Sequence, residues 1–231
     1  MRQRDMVMAA RFRLWLVVLL LYGVCFSAQS WAANLDQVLD NLQQAYDRIQ
    51  ALSADFVQVA TLTSIDREQI SSGRVYIQKP QMIRWEYTQP EPQTVLYKDN
   101  LLRIYTPKRR QVLQSVVDAD NRTNVALLFL AGIGTLREVF TITPMPGQET
   151  HTTQLRLLPR SPQAGFTELY ITLNPQSYLI ESLTIHDPIG NRTTIHLSAL
   201  QIHPTLPAHL FELDLPPGTE VLTPSDLSEQ K

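Results

Sequence analysis

A single cysteine, Cys25, occurs in 231 residues, so no disulfide framework and no cysteine-built metal or redox centre is open to this chain. Histidine is almost as scarce. His151, His186, His196, His203 and His209 all fall in the C-terminal half, and no pair has a ligand spacing such as H-x-x-x-H. His186 and His196 lie on expected strand faces shared with Ser and Thr, where an ordinary solvent-facing role accounts for them. There is no G-x-S-x-G, phosphate loop or dinucleotide fingerprint. Asp118 and Asp120 are the nearest approach to a carboxylate dyad, and they stand in a polar loop. The formal net charge is -2, which gives no basic field to hold nucleic acid. These absences predict no enzyme, no cofactor, no metal and no nucleic-acid partner.

One apolar stretch approaches membrane-spanning length, and it stands at the N-terminus. Arg2, Arg4, Arg11 and Arg13 precede the apolar run Leu14 to Phe26, and Ser30-Trp31-Ala32 offers small residues at a cleavage site. This predicts a signal peptide over residues 1–32, removed to leave a chain that begins at Ala33. A retained anchor is the alternative, disfavoured by the short run and the site that follows it. Val24 is too bulky for the residue preceding a lipidated cysteine, so Cys25 is not expected to be one. Four basic and one acidic residue lie in that segment, leaving a net charge of about -5, and no second span.

The remainder, 33–231, reads as one domain with a ragged polar tail from about Pro224. Leu35, Val38, Leu39, Leu42, Ala45, Tyr46 and Ile49 recur at helical spacing behind Asn34 and Gln37, a capping box, and predict a helix to about Gln50. From Ala54 the period falls to two. Short strands follow, punctuated by Pro80, Pro90, Asp99-Asn100, Pro107-Lys108, Asn174-Pro175 and the turn from Pro188 to Asn191. Asn124 to Ile133 interrupts them as a short, wholly apolar helix, and Leu206 to Leu210 suggests one more helical turn. About eleven strands at regular spacing predict a mainly β fold, a sandwich or barrel.

Each strand has one apolar face: Val75 and Ile77 against Arg74, Tyr76 and Gln78; Ile83, Trp85 and Tyr87 against Met82, Arg84 and Glu86. A sheet of this size must curl over something. The few helices either plug it as an ordinary core or lid a cavity for a hydrophobic ligand, and pattern alone leaves both open. Lys79 falls by strand parity on the apolar face. It is either a rim residue that keeps its ammonium in water or a latch that donates to carbonyls of an adjacent helix.

Phe56-x-Gln58, then Gly73-x-Val75-x-Ile77-x-Lys79-Pro80, then Arg84-Trp85-x-Tyr87-x-x-Pro90, resemble the periplasmic outer-membrane lipoprotein carrier family, LolA. The resemblance continues through Leu102 to Pro107, Gln111-Val112, Leu127-Leu128, Asp187-x-x-Gly190 and Phe211-x-Leu213-x-x-Pro216-x-Gly218. It implies an incompletely closed antiparallel β-barrel of about eleven strands, lidded by short α-helices. It implies a monomeric carrier in a Gram-negative periplasm, without catalytic residues or cofactor. Such a carrier takes acylated lipoproteins from an inner-membrane ABC lipoprotein-releasing complex and passes them to an outer-membrane acceptor. A lipid- or peptide-sensing module on the same half-barrel is the alternative. On this reading Phe56, Val75, Ile77, Ile83, Trp85, Tyr87, Leu96, Ile104, Leu127 and Leu128 line the lipid-binding cavity. Lys79 latches the lid near Val125 to Leu130, at a position where the family usually has arginine.

Overall fold

A computed structural model describes residues 35–117, 136–145, 153–161 and 165–228. The segment 1–32, the apolar helix expected at 124–133, and His151, Asp118 and Asp120 lie outside the described residues. The chain divides into two compact units between Leu42 and Gln43. Residues 35–42, the described part of the first unit, are helical and open helix α1 (35–47). Within them Gln37 Nε2 donates to Asn41 Oδ1, one turn on, at 3.1 Å.

The second unit carries every strand. In chain order they are β1 Ala51–Leu62, β2 Arg67–Gln78, β3 Met82–Gln89, β4 Gln93–Lys98, β5 Leu101–Thr106, β6 Gln111–Val116, β7 Phe140–Pro144, β8 Thr153–Pro159, β9 Glu168–Leu173, β10 Ile180–His186, β11 Arg192–His203 and β12 Glu220–Leu222. Among the described residues two short α-helices, α2 Leu136–Val139 and α3 Pro224–Ser228, accompany the strands, with 3-10 turns at Thr63–Ile65, Pro107–Arg109 and Ala208–Phe211. The strands form one sheet in the order β12-β6-β5-β4-β3-β2-β1-β11-β10-β9-β8-β7. Its end strands β7 and β12 do not pair with each other among the described residues, so the barrel is incompletely closed.

Eleven strands match the expected number. The twelfth is three residues long and pairs in parallel with β6, too short to reveal a period in the sequence. The first strand opens at Ala51 rather than Ala54, and α1 ends at residue 47, short of Gln50. Ala51, Leu52, Ser53 and Ala54 are all buried, and a strand covered on both faces loses the alternation that marks its start. The turn expected at Asp99-Asn100 joins β4 to β5, with both residues at positive φ, 53° and 59°. That is what a two-residue hairpin loop requires, and Asp and Asn tolerate it.

Residues directly opposite on neighbouring strands share a face, so the register sorts the side chains. One inner rung runs Leu52, Ile77, Ile83, Tyr97 and Leu102. The next runs Ala54, Val75, Trp85, Val95, Ile104 and Leu113. Beyond β11 the same face continues through Ile195, Leu183, Ile171 and Leu155. The inner face is therefore apolar across nearly the whole ribbon. The opposite face carries Asp55, Arg74, Glu86, Arg103, His196 and Thr184.

Gly73 sits at a register shift between β2 and β3. A Cβ there would overlap the backbone carbonyl oxygen of Glu86, so only glycine allows the two strands to approach this closely.

Candidate functional site: an apolar inner face with a polar mouth

The aromatic centre of the inner face is Phe56. Trp85 packs edge-on against it at 4.7 Å between ring centroids and 67°, Tyr87 at 4.9 Å and 77°, the geometry that ring quadrupoles favour. Phe56, Val75, Ile77, Ile83 and Trp85 are each no more than 3 % exposed. Tyr87 and Ile104 lie on the same face and are half-buried. The indole Nε1 of Trp85 is buried with no hydrogen-bond partner among the described residues, an unusual state for a donor that normally finds an acceptor. Leu127 and Leu128 lie outside the described residues.

Leu96 corrects the sequence reading. It pairs with Arg84 and Arg103, and so points to the face opposite Trp85. There it is fully buried in a cluster with Ala51, Leu206 and Phe211, flanked by Tyr76, Met82, Leu210 and Leu213. Tyr97 and Val95 take the inner positions on β4. Val95-Leu96-Tyr97 is apolar at every position, because this strand is covered on both sides, and so alternation could not assign its faces.

What covers the outer cluster is the C-terminal segment with its 3-10 turn Ala208–Phe211. Two side chains of β2 and β3 hold it down. Arg84 Nη1 donates to the carbonyls of Leu210 and Glu212 at 3.0 and 2.9 Å, and its Nη2 meets Glu86 at 2.6 Å. Gln78 Oε1 accepts from the Leu206 N–H at 2.6 Å and from Thr205 Oγ1 at 3.2 Å. The motif around Lys79-Pro80 thus has two functions by parity. Its apolar members build the inner face, and its polar members clamp the C-terminal strap. Sequence reading saw only the first, since Arg84 and Gln78 look like ordinary surface residues until their distant partners are known.

Lys79 donates from Nζ to the carbonyl oxygen of Tyr46 at 2.6 Å, in the last turn of α1, while its backbone N–H donates to Gln50 O at 2.9 Å. The acceptor is thus a helix carbonyl, but of α1. Residues 125–130, where the latch was expected to find its partner, are outside the described residues. Tyr46 is fully buried, its hydroxyl accepts the Ile180 N–H at 3.2 Å, and burial pushes its phenol up to about 12.

At one end of the inner face the lining changes character. Tyr87 O–H donates to Gln58 Oε1 at 3.1 Å, Gln93 Nε2 donates to Thr106 Oγ1 at 3.3 Å, and Ser71 stands opposite Gln58. With the Pro90-Glu91-Pro92 loop they border a cavity of about 310 Å³. Burial raises the Tyr87 phenol above its ordinary value.

Among the described residues no group of three or more His, Cys, Asp or Glu is placed to hold a metal, and no helix is long and apolar enough to cross a membrane. His186 packs beside Tyr170 at 5.4 Å on the outer face, and His203 Nε2 lies 2.9 Å from Ser53 Oγ. What these residues offer chemically is apolar surface and a few neutral hydrogen-bonding groups, suited to holding hydrocarbon.

Residues 47–214 match the sequence family described as outer membrane lipoprotein carrier protein LolA. An outer-membrane lipoprotein carrier protein from Methylococcus capsulatus is 30% identical over 207 residues, spanning 90% of this chain and 96% of that one. One from Bordetella avium is 29% identical over 190 residues, spanning 82% and 89%. A crystal structure of an uncharacterized conserved protein from Thermus thermophilus superposes with a TM-score of 0.54 at 12% identity, covering 82% of this chain and 99% of that one, a likeness of fold alone.

Proposed function

The chain belongs to the LolA family of outer-membrane lipoprotein carriers, and from that premise we propose that it ferries acylated lipoproteins through the periplasm. It receives them at the inner membrane from an ABC lipoprotein-releasing complex, holds their acyl chains on the inner face, and yields them to an acceptor at the outer membrane. The observation that carries this reading is the continuous apolar inner face, running from Leu113 on β6 through Trp85 and Phe56 to Leu155 on β8.

The need for such a face follows from transfer energetics. Each methylene exposed to water costs ~0.8 kcal/mol, so three acyl chains cost tens of kcal/mol in transit. Release sets the opposite demand. Walls of Val, Ile, Trp and Phe hold chains without fixing one geometry, and so bind without trapping. Phe56, Val75, Ile77, Ile83, Trp85, Tyr87 and Ile104 are the described residues assigned to this wall, and Leu127 and Leu128 are assigned to the same cavity.

The test is native mass spectrometry of the exported protein purified from cells that co-express a lipoprotein, followed by transfer to outer-membrane vesicles. A stoichiometric acylated adduct that moves to the vesicles is the expected result. A protein that binds lipoprotein without passing it on fits the sensing module instead, and one that binds none overturns the carrier reading.

A further inference from the structure

Toward one end, the inner face turns polar on each of five adjacent strands. On β1 the inner sequence goes from Phe56 to Gln58; on β2, from Val75 through Gly73 to Ser71. On β3 it goes from Trp85 to Tyr87, on β4 from Val95 to Gln93, and on β5 from Ile104 to Thr106. The register sets Tyr87 beside Gln93, level with Gly73 and Phe56, and Gln58 beside Ser71 one pleat further out, so the polar residues form a stepped patch over adjacent strands. An ordinary strand end reaches solvent through charged residues, yet all five of these are neutral. Among the described residues no lysine or arginine borders the 310 Å³ cavity they form. The nearby Lys108 is paired with Glu91 at the exposed rim, and this contact holds the Glu91 carboxyl below the usual carboxylate range.

We propose that this mouth is a recognition site for the uncharged junction of an acylated peptide: the ester and amide carbonyls that join hydrocarbon chains to polypeptide. The assignment rests on the carrier reading above and adds to it a basis for choosing cargo. Amide and hydroxyl side chains both donate and accept. The Tyr87 hydroxyl occupies Gln58 Oε1, which turns the Gln58 NH2 group to the ligand as a donor. One pleat below Tyr87, the buried Trp85 Nε1, without a hydrogen-bond partner among the described residues, is a second donor. A carbonyl oxygen needs no more than such a donor. A phospholipid brings a phosphate, which loses its hydration in this mouth and meets no free cation among the described residues in return. The mouth therefore passes acylated peptides and discriminates against phospholipids that bear similar chains.

The experiment compares the full exported protein with its Gln58→Leu/Gln93→Leu variant, titrated with a synthetic triacylated cysteinyl peptide and with the apolar dye N-phenyl-1-naphthylamine, which needs only the apolar face. Loss of about one or two neutral hydrogen bonds predicts a roughly tenfold weaker peptide affinity, with dye binding unchanged. Gln93→Lys is expected to raise uptake of phosphatidylglycerol from vesicles at least fivefold over wild type. Should the double variant fail to fold, Gln93→Met carries the same comparison with about a threefold loss. Unchanged peptide affinity, or equal weakening for peptide and dye, overturns the assignment. So does a wild type that takes up phosphatidylglycerol as well as peptide. A wild type that binds dye but no acylated peptide overturns the carrier reading itself.

Discussion

Replacing Lys79 with methionine removes one ammonium and keeps most of the apolar stem. Its acceptor, Tyr46 O, lies 2.6 Å away, in the last turn of α1, where carbonyls lack the next helical turn and carry the negative end of the helix dipole. A hydrogen bond from a charged donor contributes about 1.5–3 kcal/mol. Two features favour the lower end: Lys79 is only half-buried, and Tyr46 O also accepts the Ile49 N–H at 3.1 Å, so the carbonyl is not orphaned when the lysine goes. The dipole adds ~0.3–1 kcal/mol, for a total near 2 kcal/mol. With a urea slope of about 2–3 kcal/mol/M, the unfolding midpoint falls by about 0.7–1 M. Trp85, set among Phe56 and Tyr87, is a convenient fluorescent reporter. Hydrogen exchange at residues 47–52 should quicken in parallel. In the transfer assay Lys79→Leu is expected to load cargo but deliver it less readily. A midpoint within about 0.2 M of wild type, with unaltered exchange, would make Lys79 a solvated rim residue and refute the reasoning.

Gly73→Ala drives a Cβ into the Glu86 carbonyl oxygen, which neither strand can move without parting; a loss of about 4 kcal/mol or more, or failure to fold, is expected, as measured by urea unfolding. Tyr46→Phe is expected to flatten the alkaline limb of stability. The wild-type phenol is raised from 10.0 to about 12, so its contribution is complete below pH 10 and fades as pH climbs through 12, a loss of ~2–3 kcal/mol that unfolding at pH 9 and pH 12 would detect. Arg84→Met frees the carbonyls of Leu210 and Glu212. At least tenfold faster exchange over residues 206–213, with residues 75–77 unaffected, is the expected signature.

Most of the inner face was legible because β2 and β3 alternate cleanly: Val75, Ile77, Ile83 and Trp85 each have polar neighbours, and a half-buried strand requires that pattern. Leu96 was not, because β4 is apolar on both faces. The strap that covers its outer face begins more than a hundred residues later, at Leu206, and no local pattern announces a contact so distant. The same distance hid Arg84 and Gln78 as clamps. For Lys79 the sequence left two roles open, a rim residue in water or a donor to helix carbonyls, because a lysine closing an apolar strand needs acceptors or water; the structure sets its Nζ against Tyr46 O in α1. The mouth was written in the chain as glutamines and hydroxyls, but only the register shows which of them are neighbours.

A closed barrel fixes its own girth, since widening it means tearing apart a strand pair along its full length. Among the described residues this ribbon has eleven pairings and two borders, β7 and β12, that do not pair with each other. Neighbouring strands in natural sheets are rotated by anywhere from about -10° to -35°. A change of about 2° at each of the eleven joints lies well inside that latitude, and together such changes swing one border relative to the other by about 20° without breaking a single ladder hydrogen bond. Girth is thus a soft mechanical coordinate of this sheet: its lumen can dilate or contract by elastic torsion spread over the whole ribbon, rather than by a hinge at one place.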